Sequence, residues 1–255
     1  MTGVLPITLE ESRKIVQALL TSGKEYVCVM KLHGDVSEGR VKEVLSEFED
    51  VIYQRPPLRA SVKRQLRTRH IYYIEFLEMV KRNVLFKVGC EGGTYIRMLC
   101  HHIGEVLGCG AHMQELRRTR AGPFVEGEGI VTLHDVAYWF MEWQKKKDDN
   151  ILRKFIQPME NALTLVPKIY IRDSAVDAIC HGASLTAPGV LLLETGISKG
   201  SLVTLLTLKG EAVALARAEA STEEILKADH GIVAKTQRVL MPRGTYPKCW
   251  KSGEI

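Results

Sequence analysis

The chain has 255 residues, of which 45% are hydrophobic and 25% charged, with a formal net charge of +5. This composition is typical of a globular protein with a buried core and argues against intrinsic disorder. No apolar run is long enough to cross a bilayer, no secretory signal follows Met1, and none of the six cysteines forms a C-x-x-C pair. We therefore expect a cytoplasmic protein with reduced cysteines, no metal site and no membrane partner.

Hydrophobic periodicity predicts an α+β order of elements in the first part of the chain. A helix is expected after a possible capping box at Thr8-Leu9-Glu10-Glu11, and Gly23 ends it. The elements expected next are a strand at 26–32, a helix at 41–48, an extended segment from 54, a strand at 84–90, a helix at 94–107, an extended segment at 111–120 and a helix at 133–143. This order lacks the regular β-α-β alternation of a doubly wound sheet.

After a charged stretch at 145–154 the chain changes to short strands. The expected elements there are a helix at 174–180 and strands at 190–194, 202–208, 212–218 and 232–240. We place a domain boundary near residue 166, so that residues 1–166 form the first domain and 167–242 a small β-barrel, followed by a tail at 243–255.

A basic segment is the first candidate functional feature. Residues 51–74 contain no Asp or Glu but include Arg55, Arg59, Lys63, Arg64, Arg67 and Arg69, with Tyr and His side chains between them. Cations neutralise phosphates, and aromatic rings stack on unpaired bases. The alternative is a solvated basic loop, but the paired prolines Pro56 and Pro57 favour an ordered segment that contacts RNA.

The second feature is a glycine turn, Gly92-Gly93, between a strand and a helix. Such a turn can hold a phosphate at the helix N-terminus, but the Lys-Ser/Thr of a P-loop is missing, which argues against nucleotide hydrolysis. Tyr95 and Arg97 follow in the first helical turn and could point into a cleft. The alternative is that Arg97 is an ordinary surface residue.

The third feature is an extended stretch, Glu115 to Arg120, whose three arginines point alternately to its two faces. One face could follow an RNA backbone, or the charges could protect an edge strand. The adjacent His101 and His102 cannot easily share a metal on a helix.

Four of these motifs, in this order, resemble the dyskerin group of the tRNA pseudouridine synthase B superfamily. They are Lys24-Glu25-Tyr26, Tyr53-Gln54-Arg55-Pro56-Pro57, Gly92-Gly93-Thr94-Tyr95-Ile96-Arg97 and Gln114-Glu115-Leu116-Arg117-Arg118. The resemblance implies a mixed-sheet catalytic domain that isomerises uridine to pseudouridine in rRNA or tRNA without a cofactor. The absence of a long lysine-rich C-terminal tail favours an archaeal type.

The second domain resembles a PUA domain, an RNA-binding module. The matching motifs are Asp173-Ser174-Ala175-Val176, Cys180-His181-Gly182-Ala183, Pro188-Gly189-Val190 and Gly231-Ile232-Val233-Ala234-Lys235. In the guide RNAs of the family, this module prefers a terminal ACA box. We expect His181, Gly182, Ala183, Lys235, Arg238 and Arg243 to contact RNA.

The resemblance also implies roles for residues of the first domain. Tyr26 would stack against the target base and act on a sugar proton, and Arg97 would pair with the nucleophilic aspartate. Tyr95 and Leu116 would line the pocket. The residues expected to face RNA are Arg55, Arg59, Lys63, Arg64, Arg117 and Arg118.

One departure from the family pattern concerns the nucleophile. In the family it is the Asp of a Gly-Gly-Thr-Leu-Asp-Pro motif just upstream of Thr-Gly-x-Leu-Pro, which here is Thr2-Gly3-Val4-Leu5-Pro6. The 255 residues do not contain the aspartate motif. We therefore expect an N-terminally truncated catalytic domain that is inactive as it stands.

Two alternatives remain open at this point: a non-catalytic RNA-binding scaffold, and a metal-dependent RNA enzyme that uses the scattered Cys and His residues. The partners implied by the resemblance are an H/ACA guide RNA, a target rRNA or tRNA, and three small proteins of the ribonucleoprotein. These are a loop-rich zinc-type subunit, a glycine–arginine-type subunit and a kink-turn binder.

Overall fold

The computed structural model describes residues 1–57, 62–127 and 129–249. The chain forms two compact units: residues 1–6 and 19–145 make the first, and residues 7–18 join the described chain from 146 onward in the second. This division differs from the expected boundary near 166. Residues 146–166 belong with the second unit because a 3-10 helix, Met159–Leu163, buries two side chains there and Glu160 accepts a hydrogen bond from the Ala212 N–H at 3.1 Å.

A mixed sheet forms the centre of the first unit. Its described strands are β1 (Thr2–Gly3), β2 (Lys24–Leu32), β3 (Asp50–Gln54), β4 (Arg67–Val80), β5 (Asn83–Cys90), β6 (Ala111–Ala121) and β7 (Phe124–Val125). The order is β1-β6-β2-β5-β4-β3, with β7 paired to β6. The β1–β6 pair is parallel and the other pairs are antiparallel.

Two helices supply side chains to the core of this unit. The described helices in chain order are α1 (Val16–Thr21), α2 (Glu38–Glu47), α3 (Ile96–Val106) and α4 (Leu133–Lys146). Apolar residues of α2 and α3 recur at helical spacing and pack on the alternate, inward-facing residues of β2 and β5. The core therefore lies on one face of the sheet, the face that also carries Tyr26.

The structure confirms the strands expected at 26–32 and 84–90 and the helices expected at 41–48, 94–107 and 133–143, with shifted ends. It also contains a β3–β4 pair that the sequence analysis described only as an extended segment. The expected capping box at Thr8 is wrong: Leu9 occupies the cap position, no side chain caps it, and a 3-10 helix at Glu10–Ile15 precedes α1.

The second unit is built on a six-stranded sheet of order β10-β8-β11-β12-β13-β9. Its strands are β8 (Lys168–Ile171), β9 (Leu185–Thr186), β10 (Val190–Leu193), β11 (Leu202–Leu206), β12 (Ala212–Ala218) and β13 (Ile232–Val239), with helices α5 (Asp173–Cys180) and α6 (Thr222–Lys227). Short 3-10 helices lie at Leu152–Lys154 and Ala187–Gly189. The four strands expected here are confirmed, and β8 and β9 were not predicted. Among the described helices, none is both long and apolar enough to cross a membrane.

Candidate active site

Tyr26 lies in β2, opposite Val88 of β5 on one side and Arg118 of β6 on the other. It packs against the core on the face that also carries Cys28. Burial raises the pKa of the Tyr26 phenol and the nearby Cys90 raises it further, while a hydrogen bond and the charge of Arg118 offset part of this. The structure thus places a neutral, half-buried hydroxyl at this position, with an arginine beside it.

Lys24 holds the turn that leads into β2. Its ammonium donates hydrogen bonds to the carbonyl oxygens of Leu19 at 2.7 Å, Leu20 at 3.1 Å and Ser22 at 2.6 Å. Burial, and then the charge of Arg118, lower the pKa of Lys24. Three carbonyl dipoles compensate the partly buried charge, so Lys24 braces the main chain next to Tyr26.

The glycine turn packs directly on this braced segment. A β-carbon at Gly92 would lie 2.4 Å from the Leu20 carbonyl oxygen and 2.8 Å from that of Ser22, so glycine is required there. Gly93 has a φ of +90°, which also favours glycine. The turn after β5 therefore packs against main-chain atoms, which cannot move aside as a flexible side chain can.

Tyr95 and Arg97 follow this turn. Tyr95 is the cap residue of α3, and its main-chain N–H donates to Gln54 Oε1 at 3.0 Å while its carbonyl accepts from Gln54 Nε2 at 3.2 Å. Arg97 is exposed, and within the described part of the chain no hydrogen bond or ion pair engages its guanidinium. Cys90, the last residue of β5, lies beside Tyr26, so the turn brings the start of α3 to the end of the sheet that carries Tyr26.

Leu116 is buried and lies opposite Cys28 in the β2–β6 pair. Because Cys28 is two residues from Tyr26 on the same strand, both side chains face the same side of the sheet. Leu116 therefore belongs to the apolar wall on the Tyr26 side, which agrees with the position expected for a pocket-lining residue.

Arg117 and Arg118, both expected to face RNA, point in different directions. Arg117 is exposed and forms a two-point ion pair with Glu126. Arg118 is partly buried, and its Nε donates to the Val4 carbonyl oxygen at 2.6 Å. Strand alternation explains the difference, and it places Arg118 on the Tyr26 side of the sheet and Arg117 on the other.

The basic segment begins at the end of β3 and returns into β4. Arg55, Lys63 and Arg64 are exposed, and Arg64 Nε donates to the Pro56 carbonyl oxygen at 3.3 Å. Gln54 and Pro56 are buried. Arg59, the remaining predicted cation, lies outside the described residues.

A pocket of about 300 Å³ lies in the second unit, at the C-terminal end of α5. It is lined by Lys14, Cys180, His181, Gly182, Val239, Met241, Pro242 and Arg243. Gly182 has a φ of +92°, and the exposed Ala183 that follows accepts a hydrogen bond from the Thr236 hydroxyl at 2.6 Å. Its lining combines apolar side chains with two cations and a histidine.

Two further cations expected to contact RNA lie on β13. Lys235 is 3.2 Å from a carboxylate oxygen of Glu219, with which it forms an ion pair. Arg238 is exposed, opposite Leu215 of β12. Arg238 and the pocket residue Arg243 are therefore better placed than Lys235 to neutralise a phosphate.

Sequence reasoning named Lys24, Glu25 and Gln54 only as members of the family motifs, without a role, and did not name Lys14. Lys24 and Gln54 act through main-chain contacts, and Lys14 comes from a segment assigned to the other domain. Glu25, on the face opposite Tyr26, accepts hydrogen bonds from the Tyr73 hydroxyl and from Thr119 at 2.6 Å. No local pattern in the sequence marks these pairings, because the partners are far apart along the chain.

Burial alone would raise the pKa of Glu25, but the hydrogen bonds from Thr119 and Tyr73 hold it below its ordinary value. Burial and the Glu25 carboxylate together raise the pKa of Tyr73 to about 12. Over the described ranges no three His, Cys, Asp or Glu side chains converge as metal ligands would.

Comparison with known domain families gives three matches. Residues 97–164 match the tRNA pseudouridylate synthase B C-terminal domain, residues 167–240 match the PUA domain, and residues 3–109 match the C-terminal domain of Pus10. The PUA match covers nearly the range expected from the sequence.

Relatives and solved structures agree with these matches. A probable tRNA pseudouridine synthase B of Methanopyrus kandleri is 58% identical over 250 residues, which cover 98% of this chain and 74% of the relative. The corresponding protein of Pyrococcus abyssi is 56% identical, with 98% and 75% covered. A crystal structure of a Cbf5–Nop10–Gar1 complex matches with a TM-score of 0.92 and 54% identity over 96% of this chain and 75% of that one. A structure of an H/ACA ribonucleoprotein bound to a substrate RNA containing 2'-deoxyuridine matches with a TM-score of 0.89 and 51% identity over 97% and 75%. The chain therefore belongs to the dyskerin-type, archaeal group of the tRNA pseudouridine synthase B family.

Proposed function

We propose that this chain is the RNA-isomerising subunit of a guide ribonucleoprotein of the H/ACA type, and that it converts uridine to pseudouridine in rRNA or tRNA. The observation that carries the proposal is the grouping at the end of β5. There a neutral Tyr26 phenol lies beside Arg118, next to the turn that presents Tyr95 and Arg97. We place this activity in the cytoplasm.

The residues present have distinct tasks in this reaction. A target uridine leaves the RNA stack and enters the site. The family's aspartate attacks C1′ of the sugar, and the glycosidic bond to N1 of the uracil breaks. The uracil turns, its C5 bonds to C1′ as the aspartate leaves, and the proton lost from C5 is balanced by protonation of N1. Tyr26 faces the base and serves the sugar proton transfer, and the exposed Arg97 guanidinium, which pairs with no other described residue, holds the aspartate ionised.

The same proposal includes partners. Structurally similar chains occur in complexes named Cbf5–Nop10–Gar1 and Nop10–Cbf5, and in an H/ACA ribonucleoprotein with a substrate RNA. We propose that this chain assembles with a guide RNA and with subunits of those two kinds, together with a kink-turn binder. The pocket at Lys14, His181 and Arg243 would hold the guide RNA end, and the basic segment would follow the RNA backbone.

The test compares two polypeptides assembled with an H/ACA guide RNA, its target strand and the small subunits. The 255 residues alone should give no product, because they include no Gly-Gly-Thr-Leu-Asp-Pro aspartate. The same residues joined to the aspartate-bearing segment of the Methanopyrus kandleri relative should form pseudouridine. The matched control carries asparagine in place of that aspartate and should be inactive.

In the joined protein, Arg97→Ala should lower kcat by about 10²- to 10³-fold, since it leaves a carboxylate without its partner. Product formed by the 255 residues alone would overturn the assignment of the nucleophile. RNA binding without turnover by the joined protein would favour the alternative, a non-catalytic RNA-binding scaffold.

A further inference from the structure

We propose that Gln54 is a positioning residue that couples the basic segment to Tyr95 and Arg97, so that RNA held by the segment fixes the start of α3. The inference rests on the proposed function, because it assigns a role within that reaction. Gln54 does not itself contact the reacting atoms.

The Gln54 side-chain amide accepts a hydrogen bond from Tyr95 and donates one to the same residue. Its Oε1 accepts from the Tyr95 N–H at 3.0 Å, and its Nε2 donates to the Tyr95 carbonyl oxygen at 3.2 Å. This pairing reproduces the two hydrogen bonds that neighbouring strands exchange. At 2% exposure the amide has no access to water, so loss of either hydrogen bond leaves a buried polar group unsatisfied.

Tyr95 is a position where such a clamp matters. It has an extended conformation, φ −96° and ψ 100°, directly before α3, and its own side chain makes no capping hydrogen bond. Its carbonyl also accepts the Met98 and Leu99 N–H groups at 3.0 Å each. The Gln54 clamp therefore determines where the first turn of α3, which carries Arg97, begins.

The other end of the connection is the basic segment. Gln54 is the last residue of β3, opposite Arg67 of β4, and the chain between them carries the exposed Arg55, Lys63 and Arg64. Arg55 follows Gln54 directly, and the Gln54 side chain is hydrogen-bonded to Tyr95. An RNA contact that shifts Arg55 therefore also acts on Gln54. The geometry thus links RNA binding to the placement of Arg97 through one side chain.

The experiment uses the joined, aspartate-bearing protein assembled with guide and target RNA. Gln54→Leu removes both hydrogen bonds and should lower kcat by about 10²-fold, as expected for a misplaced catalytic group, without changing the Kd for RNA. Gln54→Glu keeps the shape. Its ionised carboxylate cannot donate to the Tyr95 carbonyl, but the protonated acid can, so kcat relative to the unsubstituted protein should rise as the pH falls. Gln144→Leu, at an exposed position of α4, is the matched control and should change neither quantity.

Hydrogen exchange supplies a readout that does not require turnover. RNA binding should slow exchange of the amides of residues 94–98 in the unsubstituted 255 residues and should fail to do so in Gln54→Leu. The inference is overturned if Gln54→Leu keeps its kcat, if Gln54→Glu shows no recovery at low pH, or if the exchange response survives the substitution. Absence of product from the unsubstituted joined protein would instead count against the proposed function, and the exchange data would still decide the coupling.

Discussion

At the scale of single residues, the close approach of main-chain atoms explains why a glycine is required at position 92. Gly92 has no room for a side chain because the carbonyl oxygens of Leu20 and Ser22 lie against it. Both oxygens are main-chain atoms next to the Lys24 ammonium, which prevents them from moving aside. The glycine turn was visible in the sequence, but the atoms that demand the glycine were not.

This contact predicts that Gly92→Ala destabilises the first unit by about 1–3 kcal/mol, the usual cost of forcing extra atoms into a packed site. Gly39→Ala is the matched control, because nothing lies within 4 Å of its added β-carbon and the residue is in α2. That control should stabilise by up to about 1 kcal/mol through helix propensity. Denaturant unfolding of both variants measures the difference. Equal stabilities for the two would contradict the packing described for Gly92.

The Tyr73–Glu25 pair predicts a pH dependence. Because the folded pKa of Tyr73, about 12, lies above its ordinary value of 10.0, the folded state retains the proton to higher pH than the unfolded state. This contribution to stability is complete below the ordinary value and is lost as the pH rises through about 12. Tyr73→Phe should therefore lose less stability than the unsubstituted protein between pH 10 and 12. Unfolding curves over that range test this, with the exposed Tyr53→Phe as the control that should follow the unsubstituted protein.

At the scale of elements, the sequence predicted the helices and strands that have a local apolar pattern. The strands at 26–32 and 84–90 could be predicted because each is a short, nearly continuous apolar run, and the helix after Gly93 because its apolar residues recur at helical spacing. The 14-residue strand β4 could not, because Ile71 is its one buried residue and its place is set by pairing with β3 and β5. The basic residues in 51–74 therefore belong to a hairpin as well as to a candidate RNA surface.

Helix capping, likewise, could not be predicted from the sequence motif alone. Thr8 and Glu11 have the spacing of a capping box, yet the chain there begins with a 3-10 helix and Leu9 occupies the cap position. The capping box that does form is at Ser221 and Glu224, where both reciprocal hydrogen bonds are present at the start of α6. The motif is necessary for the reciprocal bonds, but they form only where the Ser or Thr itself occupies the cap position, as Ser221 does and Thr8 does not.

This difference predicts unequal effects for two similar substitutions within the second unit. Ser221→Ala should destabilise by about 1 kcal/mol, because it leaves the Glu224 N–H without its acceptor. Thr8→Ala should change stability by less than about 0.5 kcal/mol. Thermal unfolding of the two variants measures both changes in stability. A cost at Thr8 as large as that at Ser221 would show that the first helix is capped in solution after all.

At the scale of the whole molecule, the family resemblance predicted the two-domain plan and the candidate site, and the comparisons confirm the family and the fold. The extent of the second unit could not be predicted, since residues 7–18 join it from the far end of the sequence. Lys14, which lines the pocket of that unit, was missed for this reason. The place of Arg118 next to Tyr26 could not be predicted, because it depends on strand register, which a single sequence does not determine.

In the pocket of the second unit, we expect one residue to contribute overall affinity for RNA and another to contribute base preference. His181 Nδ1 is 2.8 Å from the Asp177 carbonyl oxygen and 3.5 Å from an oxygen of the Asp177 carboxylate, and these contacts fix the ring at the pocket lining. A ring fixed in this way can contact one base edge, whereas the exposed Arg243 attracts any phosphate. We therefore expect His181 to govern preference and Arg243 to govern overall affinity.

The measurement is a titration of the full chain against RNA with a terminal ACA and against a scrambled end, at two salt concentrations. Arg243→Ala should weaken both RNAs alike and reduce the slope of log K against log salt by about one. His181→Ala should leave the slope unchanged and reduce the preference for ACA by about tenfold, the value of one lost base contact. Lys199→Ala, at an exposed position outside the pocket, should change neither. If His181→Ala weakens both RNAs equally, the pocket binds phosphate only, and base selection must be assigned to another surface of the second unit.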